Sequence, residues 1–332
     1  MKPVVLLNDT SANRHHGCHL VSRRIDQLAR ASGMEIVARC PVAQDWRSWP
    51  GVVAAMAGAD MVIINGEGTI HGSKPHVLGL LQAAAHARGL GVPTVLINSI
   101  WQNNDSRFVE AARSLAAIWV RESASRDELA AAGLAATVVP DLTLSVEPPQ
   151  KAARSGILFT DSNRDDVTAM LWRLAGASPD SSWLSFLTPP SGTGAGELAK
   201  WWIQTTLFRW LRPSRPGPRT TNYTGTSATA DEALRRIAEA ELLISGRFHA
   251  ICFAILAGTP FLAIPSSSRK IEAMLNDAGL AHRLCPVTAL ERLDLAATAP
   301  FTATDHDSAQ CFRDRARRDA QAMFAQIRAM CR

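Results

Sequence analysis

The chain has little of several things that would point to common functions. Tyrosine occurs once in 332 residues and aromatics make up 6%, so there is little material for stacking on bases. No helix-turn-helix, zinc-finger or RNP signature is present either, and nucleic acid is not an expected partner. Long apolar runs are also missing. The longest, Ala250 to Ile264, is broken by Gly258, Thr259 and Pro260 and falls short of the ~20 residues a membrane span needs. At the N-terminus Asp9 arrives before the apolar core of a signal peptide could form. Six cysteines (Cys18, Cys40, Cys252, Cys285, Cys311 and Cys331) are scattered without CxxC spacing. They are expected as reduced thiols of a cytoplasmic protein, not as a disulfide frame or a zinc site.

What is present reads as an ordinary soluble globular protein. The hydrophobic share is 47% and the charged share 20%, which excludes disordered and fibrous classes. The length exceeds one ordinary core and suits two domains. Lys and Arg number 35 against 30 Asp and Glu, a net charge of +5. That excess favours anionic partners, such as a phosphorylated small molecule or an anionic membrane surface.

Short apolar runs alternate with amphipathic stretches along the whole chain. Strands are expected at Pro3 to Leu7, Met61 to Asn65, Pro93 to Asn98, Ile118 to Val120 and Thr137 to Val139, with a helix from about Gly17 to Ala31. Glu147-Pro-Pro-Gln-Lys reads as a linker. The alternation then restarts, with strands at Gly156 to Thr160, Leu184 to Leu187, Leu242 to Ile244 and Phe261 to Ile264. Helices are expected at Thr229 to Ala240, Phe248 to Leu256 and Ser268 to Ala278. Strands separated by helices argue for parallel sheets. The expected division is residues 1–146, an acceptor-side α/β domain, and residues 151–304, a donor or anion-side α/β domain, with a cleft between them. A C-terminal helix, residues 305–332, is expected to pack across both. The arginine- and proline-rich Arg209 to Arg219 reads as a surface loop or a lipid-headgroup contact.

Open parallel sheets bind ligands beyond the carboxyl ends of their strands, so the strand-end loops hold the candidate residues. After Leu242 to Ile244, Ser245 and Gly246 make a turn, and Arg247-Phe-His249 open the next helix, where unpaired N–H groups favour an anion. Arg247 either grips a carboxylate or phosphate bidentately or pairs with an interdomain acid. His249 either exchanges a proton near neutral pH or caps the turn. After the next strand, Ser266, Ser267, Ser268 and Lys270 form either an anion cradle or ordinary helix capping. In the first half, Gly66-Glu67-Gly68-Thr69 and His71 follow a strand; Glu67 or His71 could orient a sugar hydroxyl or act as a base, or the loop could be an ordinary one. Asn8-Asp9-Thr10, with His15-His16-Gly17 opening the following helix, is another polar loop at that sheet end. No third ligand has metal-site spacing beside these histidines, so no metal is expected. Arg121 follows a strand and should point into the cleft. Asp141 is read as a catalytic group, a salt-bridge partner or a turn cap.

Taken in order, Gly66-Glu-Gly-Thr69, Arg121-Glu-Ser-Ala-Ser125, Pro140–Asp141, Ser245-Gly-Arg-Phe-His-Ala250 and the small-residue strand leading to Lys270 resemble the polysaccharide pyruvyl transferase family, over roughly Pro3 to Gly279. The resemblance implies two Rossmann-like domains arranged as in the GT-B fold. It implies transfer of pyruvate from phosphoenolpyruvate to a pair of sugar hydroxyls, as a ketal, in envelope or exopolysaccharide synthesis. It requires no cofactor beyond phosphoenolpyruvate as donor substrate, and a saccharide or lipid-linked saccharide as acceptor. Arg121, His249 and Lys270 match the family's functional Arg, His and Lys, and Arg247 is the motif arginine. On this reading His249 is the acid, and Arg247, Arg121 and Lys270 hold the phosphate and carboxylate. The chain departs from the family in its first loop. In place of a GxxNxGD-type sequence stand Asn8-Asp-Thr-Ser and His15-His16-Gly17-Cys18, residues that should shape a substrate pocket. The alternative is a GT-B glycosyltransferase using a nucleotide-activated sugar, acidic or neutral. A binding scaffold that kept the cleft ranks below both, because the cationic cluster is intact. The expected location is the cytoplasm, including its inner membrane face.

Overall fold

Val4 and Leu6 point to one side of the first strand and Val5 and Leu7 to the other, and all four are fully buried. A strand apolar on both faces belongs in the middle of a parallel sheet covered by helices on both sides, and the computed structural model has this architecture twice. It describes residues 1–188, 227, 229–293, 295, 298 and 300–332; the Arg209 to Arg219 segment lies outside them. The chain divides into two units, each described here by itself. Unit 1 is Met1–Asn13, Val21–Val146 and Asp314–Arg332, and unit 2 is Arg14–Leu20 and Glu147–Arg313. The division is not the simple one expected from sequence: a seven-residue stretch of the first half, Arg14–Leu20, is counted with the second unit, and the end of the last helix with the first.

Unit 1 contains β1 (Lys2–Asp9), most of α1 (His16–Ala31), β2 (Met34–Pro41), α2 (Pro50–Gly58), β3 (Met61–Glu67), α3 (Pro75–Leu81) and α4 (Ala83–Gly89). It continues with β4 (Thr94–Ser99), α5 (Ser106–Ala112), β5 (Ala117–Val120), α6 (Ser123–Ala131) and β6 (Thr137–Val138). The strands lie in the order β2-β1-β3-β4-β5-β6, all parallel. One face packs Val5, Leu7, Val62, Ile64 and Leu96 against Trp101 and Phe108. The other packs Val4, Leu6, Ile63, Val95 and Ile97 against Val21 and Ile25 of α1, and against Ala320, Met323, Phe324 and Ile327 of the last helix.

Unit 2 contains β7 (Ile157–Ser162), α7 (Asp165–Ala177), β8 (Ser181–Leu184), α8 (Ala230–Ala238), β9 (Leu242–Gly246), α9 (Phe248–Ala257), β10 (Phe261–Ala263) and α10 (Lys270–Asp277). The last helix, α11 (Ala303–Met330), starts in it. Its strands run parallel in the order β10-β9-β7-β8. Helix α9 is buried at every position from Phe248 to Leu256, as a helix that is apolar all round must be. In both sheets the chain lays its second strand on one side of the first and its third on the other. The resulting switch points, β1/β3 and β7/β9, are where open α/β sheets take ligands.

Two expected elements differ. β2 (MEIVARCP) was not foreseen, and β8 lies at Ser181–Leu184 instead of Leu184 to Leu187. Both are edge strands. No helix among the described residues is long and apolar enough to cross a membrane.

Helix α11 starts with a capping box. Thr302 N–H donates to Asp305 Oδ2 (2.9 Å), and Asp305 N–H donates to Thr302 Oγ1 (3.2 Å). Arg283 and His282 also bond to the Asp305 carboxylate, which is 3% exposed. Burial by itself would raise the pKa of Asp305, but the bonds from Arg283 and Thr302 outweigh it and hold the group well below the usual carboxylate range. A depressed folded-state pKa adds stability above the unfolded value near 4, and the gain is lost as pH falls through the folded value. Asp305→Asn is therefore expected to lower stability at pH 7 by about 1–3 kcal/mol. Denaturant melts of both proteins from pH 7 to pH 3 should show the gap narrowing below pH 4.

Candidate functional site

The unit 2 site is built at the β7/β9 switch point. Gly246 ends β9 where a side chain would collide with Ser162 of β7: a Cβ there would lie 2.6 Å from Ser162 Cβ. The next residue, Arg247, is the N-cap of α9, and no side chain caps that helix. Its backbone N–H donates to Ser245 Oγ (2.9 Å), and Ser245 is bonded in turn to Thr160 Oγ1 (2.6 Å). The Arg247 guanidinium pairs with Asp161 at the end of β7 through Nε (2.9 Å) and Nη2. Asp161 Oδ1 also accepts from Phe186 N–H (3.1 Å). The acid that orients Arg247 is thus in its own unit, one strand away.

His249 sits in the first turn of α9, 7% exposed. Its ring meets that of His15 edge to face, centroids 5.2 Å apart. Gly17 lies against it: a Cβ at 17 would fall 2.1 Å from His249 Cγ, so only glycine fits there. Lys270, the first residue of α10, carries its Nζ 6.0 Å from the centre of the Phe248 ring. Burial, followed by the neighbouring His249, Arg247, His16 and Lys270, pushes the His15 pKa well below 6.5. Of the serines, Ser267 Oγ accepts from Asn163 (2.6 Å), Ser266 Oγ donates to Ser268 O (2.9 Å), and Ser268 is buried. The N-cap of α10 is Arg269, so none of the serines is its cap residue.

His16, expected to touch substrate, is corrected by the structure. It is 0% exposed and packs edge-on against Phe186 at 5.6 Å, with burial, the foremost cause, lowering its pKa to about 4. The residue of that pair that reaches the site is His15.

In unit 1 the corresponding edge has a distinct backbone. Among the described residues, six non-glycine residues have positive φ: Asn8, Ala43, Glu67, Ser73, Asn98 and Asn103. All six lie at or just beyond the carboxyl ends of β1 to β4. The opposite edge uses glycine for the same conformation, as at Gly33 and Gly91. A left-handed non-glycine residue costs about 1–2 kcal/mol, and such strain gathers at ligand sites. Asn8 Nδ2 donates to Asn65 O (2.6 Å) and Thr69 Oγ1 (3.4 Å), across the β1/β3 switch point. Gly66 lets β3 pass Ser99 of β4, whose Cβ would lie 2.4 Å from an added Cβ. Gly68 completes the turn to Thr69. Asn8 and Thr69 line a cavity of about 210 Å³ together with Gln44, Trp46, Arg47 and His76, none of which sequence reasoning singled out.

Three expected unit 1 residues are engaged with neighbours in their own unit. Glu67 is buried and accepts from Thr10 Oγ1 and Asn65 Nδ2 (3.1 Å), so its carboxylate fastens the loop. His71 Nε2 is 2.9 Å from Lys74 Nζ. Arg121 is a buried ion-pair partner: its Nη1 donates to Asp141 Oδ2 (2.7 Å), and the two side chains are 2% and 0% exposed. Asp141 also accepts from Thr143 N–H (3.0 Å) and Oγ1 (2.6 Å).

Asp161 is the residue that sequence reasoning missed, and the sequence did not show that His15, not His16, is the one whose ring meets His249. Asp161 follows the apolar Ile157 to Thr160 at a strand's carboxyl end, the same signal that identified Arg247.

The two parallel sheets define a GT-B-like α/β fold. Solved structures that share it include sucrose-phosphate synthase from Thermosynechococcus elongatus, at TM-score 0.53 and 13% identity over 99% of this chain and 97% of that one. UDP-GlcNAc 2-epimerase from Methanocaldococcus jannaschii gives TM-score 0.53 and 10% identity over 95% and 99%. A functionally uncharacterized protein from Klebsiella pneumoniae gives 0.51 and 10% over 86% and 92%. No curated protein matches the chain. The family profile described as polysaccharide pyruvyl transferase matches residues 12–268, from the loop before α1 to two residues short of Lys270. The chain belongs to the polysaccharide pyruvyl transferase family, and it is a transferase.

Proposed function

We propose that this transferase moves the pyruvyl group of phosphoenolpyruvate onto two hydroxyls of a saccharide acceptor. The observation that carries the reading is the cluster at the β7/β9 switch point. Arg247, Lys270 and two imidazoles stand there around an uncapped helix N-terminus, an environment suited to a small, multiply charged anion.

His249 delivers a proton to the methylene carbon, which makes the central carbon electrophilic. One sugar hydroxyl adds there and releases its proton. Phosphate then leaves, and the second hydroxyl closes the ketal, its proton departing with the phosphate. Lys270 and Arg247, the latter held in place by Asp161, neutralise the phosphate and carboxylate. No step calls on a cofactor. The acceptor is assigned to the unit 1 edge, where the cavity beside Asn8 and Thr69 offers hydrogen-bonding groups that include Gln44, Asp45 and Arg47.

A thermal-shift panel with phosphoenolpyruvate, CMP, UDP, GDP and inorganic phosphate at fixed salt tests the reading. At ~100 times its dissociation constant a specific ligand adds about 2.7 kcal/mol, a rise of several degrees. Phosphoenolpyruvate is expected to give that rise, and Arg247→Ala to lose it. A response to one nucleotide and none to phosphoenolpyruvate would turn the assignment to a glycosyltransferase.

A further inference from the structure

The loop before α1 departs from the family pattern, and the structure gives its histidine pair a use. Arg14 Nε donates to Thr188 O (3.2 Å), Thr188 N–H to Arg14 O (3.3 Å) and His16 N–H to Phe186 O (3.2 Å). These bonds fasten the loop to the chain that follows β8. His15 is thereby wedged between the Phe186 ring (5.3 Å, 63°) and the His249 ring (5.2 Å, 61°). The wedge depends on Gly17, where any side chain would occupy the place of the His249 ring.

The hydrogen bonding of His15 fixes its tautomer. Gly17 N–H donates to Nδ1 (3.2 Å), so a neutral ring carries its proton on Nε2. Nε2 has no hydrogen-bond partner among the described residues, and the side chain is only partly buried. Burial foremost, then neighbouring positive charge, lowers the pKa of the His15 ring well below 6.5 and favours its neutral form. In that form it is a donor that adds no positive charge beside Arg247 and Lys270.

We propose that His15 is a further substrate-binding residue, donating Nε2–H to an oxygen of the anionic donor beside His249. This rests on the phosphoenolpyruvate reading. A hydrogen bond to a charged oxygen from a partly desolvated donor is worth about ten- to hundred-fold in affinity.

Calorimetric titration of phosphoenolpyruvate into the wild type, His15→Phe and His15→Gln separates the possibilities. The phenylalanine keeps the ring contacts and removes the donor. The glutamine removes the ring and keeps a donor near Nε2. His15→Phe is expected to raise Kd about ten- to hundred-fold, and His15→Gln to stay much nearer the wild type. Melting curves establish that each variant is folded, with His15→Met replacing the phenylalanine if that variant is not. Wild-type affinity in His15→Phe, or an equal loss in both variants, overturns the proposal and leaves pyruvyl transfer standing. A wild type that takes up no phosphoenolpyruvate overturns the functional reading and this proposal with it.

Discussion

Replacing His249 by glutamine is expected to lower kcat by about 10²–10⁴-fold while phosphoenolpyruvate continues to raise the melting temperature. The two readouts separate because the side chain does two things. As a ring it occupies a place prepared by Gly17 and His15. As an acid it supplies the proton without which the central carbon of the donor stays unreactive. Glutamine fills much of the same volume and keeps a hydrogen-bonding end, but it carries no proton to give. The affinity for donor, carried by Arg247, Lys270 and His15, should fall far less than turnover. Phosphate release measured with a saturating acceptor, beside the thermal shift, gives both numbers. Undiminished turnover would remove His249 as the acid, and loss of binding equal to loss of rate would make it a binding residue.

The second large effect is expected in unit 1. Arg121→Met leaves the Asp141 carboxylate buried without its cation, and removing one member of a buried ion pair costs about 3–5 kcal/mol. For a chain of this size that is a fall of about 4–7 °C in Tm. The double variant Arg121→Met/Asp141→Asn should recover most of the loss. The asparagine carries no charge, yet its side-chain oxygen still accepts the Thr143 N–H. Donor affinity in the single variant, measured well below its melting temperature, should stay close to that of the wild type. A fully stable single variant that no longer binds phosphoenolpyruvate would restore Arg121 as a direct ligand, the role that family resemblance implies.

These two residues show where sequence reasoning succeeds and where it stops. Central strands were legible because burial on both faces demands an almost unbroken apolar run, as in Met61 to Asn65. Edge strands were not. In β2, Glu35 and Arg39 interrupt the run and Val37 is half exposed, a pattern that satisfies neither the strand nor the helix template. β8 starts on two serines for the same reason. At the site, the strand-end rule found Arg247 and His249 but could not tell a partly exposed guanidinium from one fully enclosed with its carboxylate, as Arg121 is. It also could not separate His15 from His16. The two differ by one position, and the choice depends on Phe186, 170 residues further along the chain.

The last helix has a consequence for how the protein is made. Ala320, Met323, Phe324 and Ile327 share the cover of one face of the first sheet with Val21 and Ile25 of α1, yet they come far later in the chain than that sheet's last strand, Thr137–Val138. At roughly 5–20 residues per second, the sheet waits on the order of ten seconds for the rest of its cover. Helix α1 can dock on that face as the sheet forms, but the cover is complete only once α11 has been made, and a chain that stops short of Ala320 leaves part of the face bare.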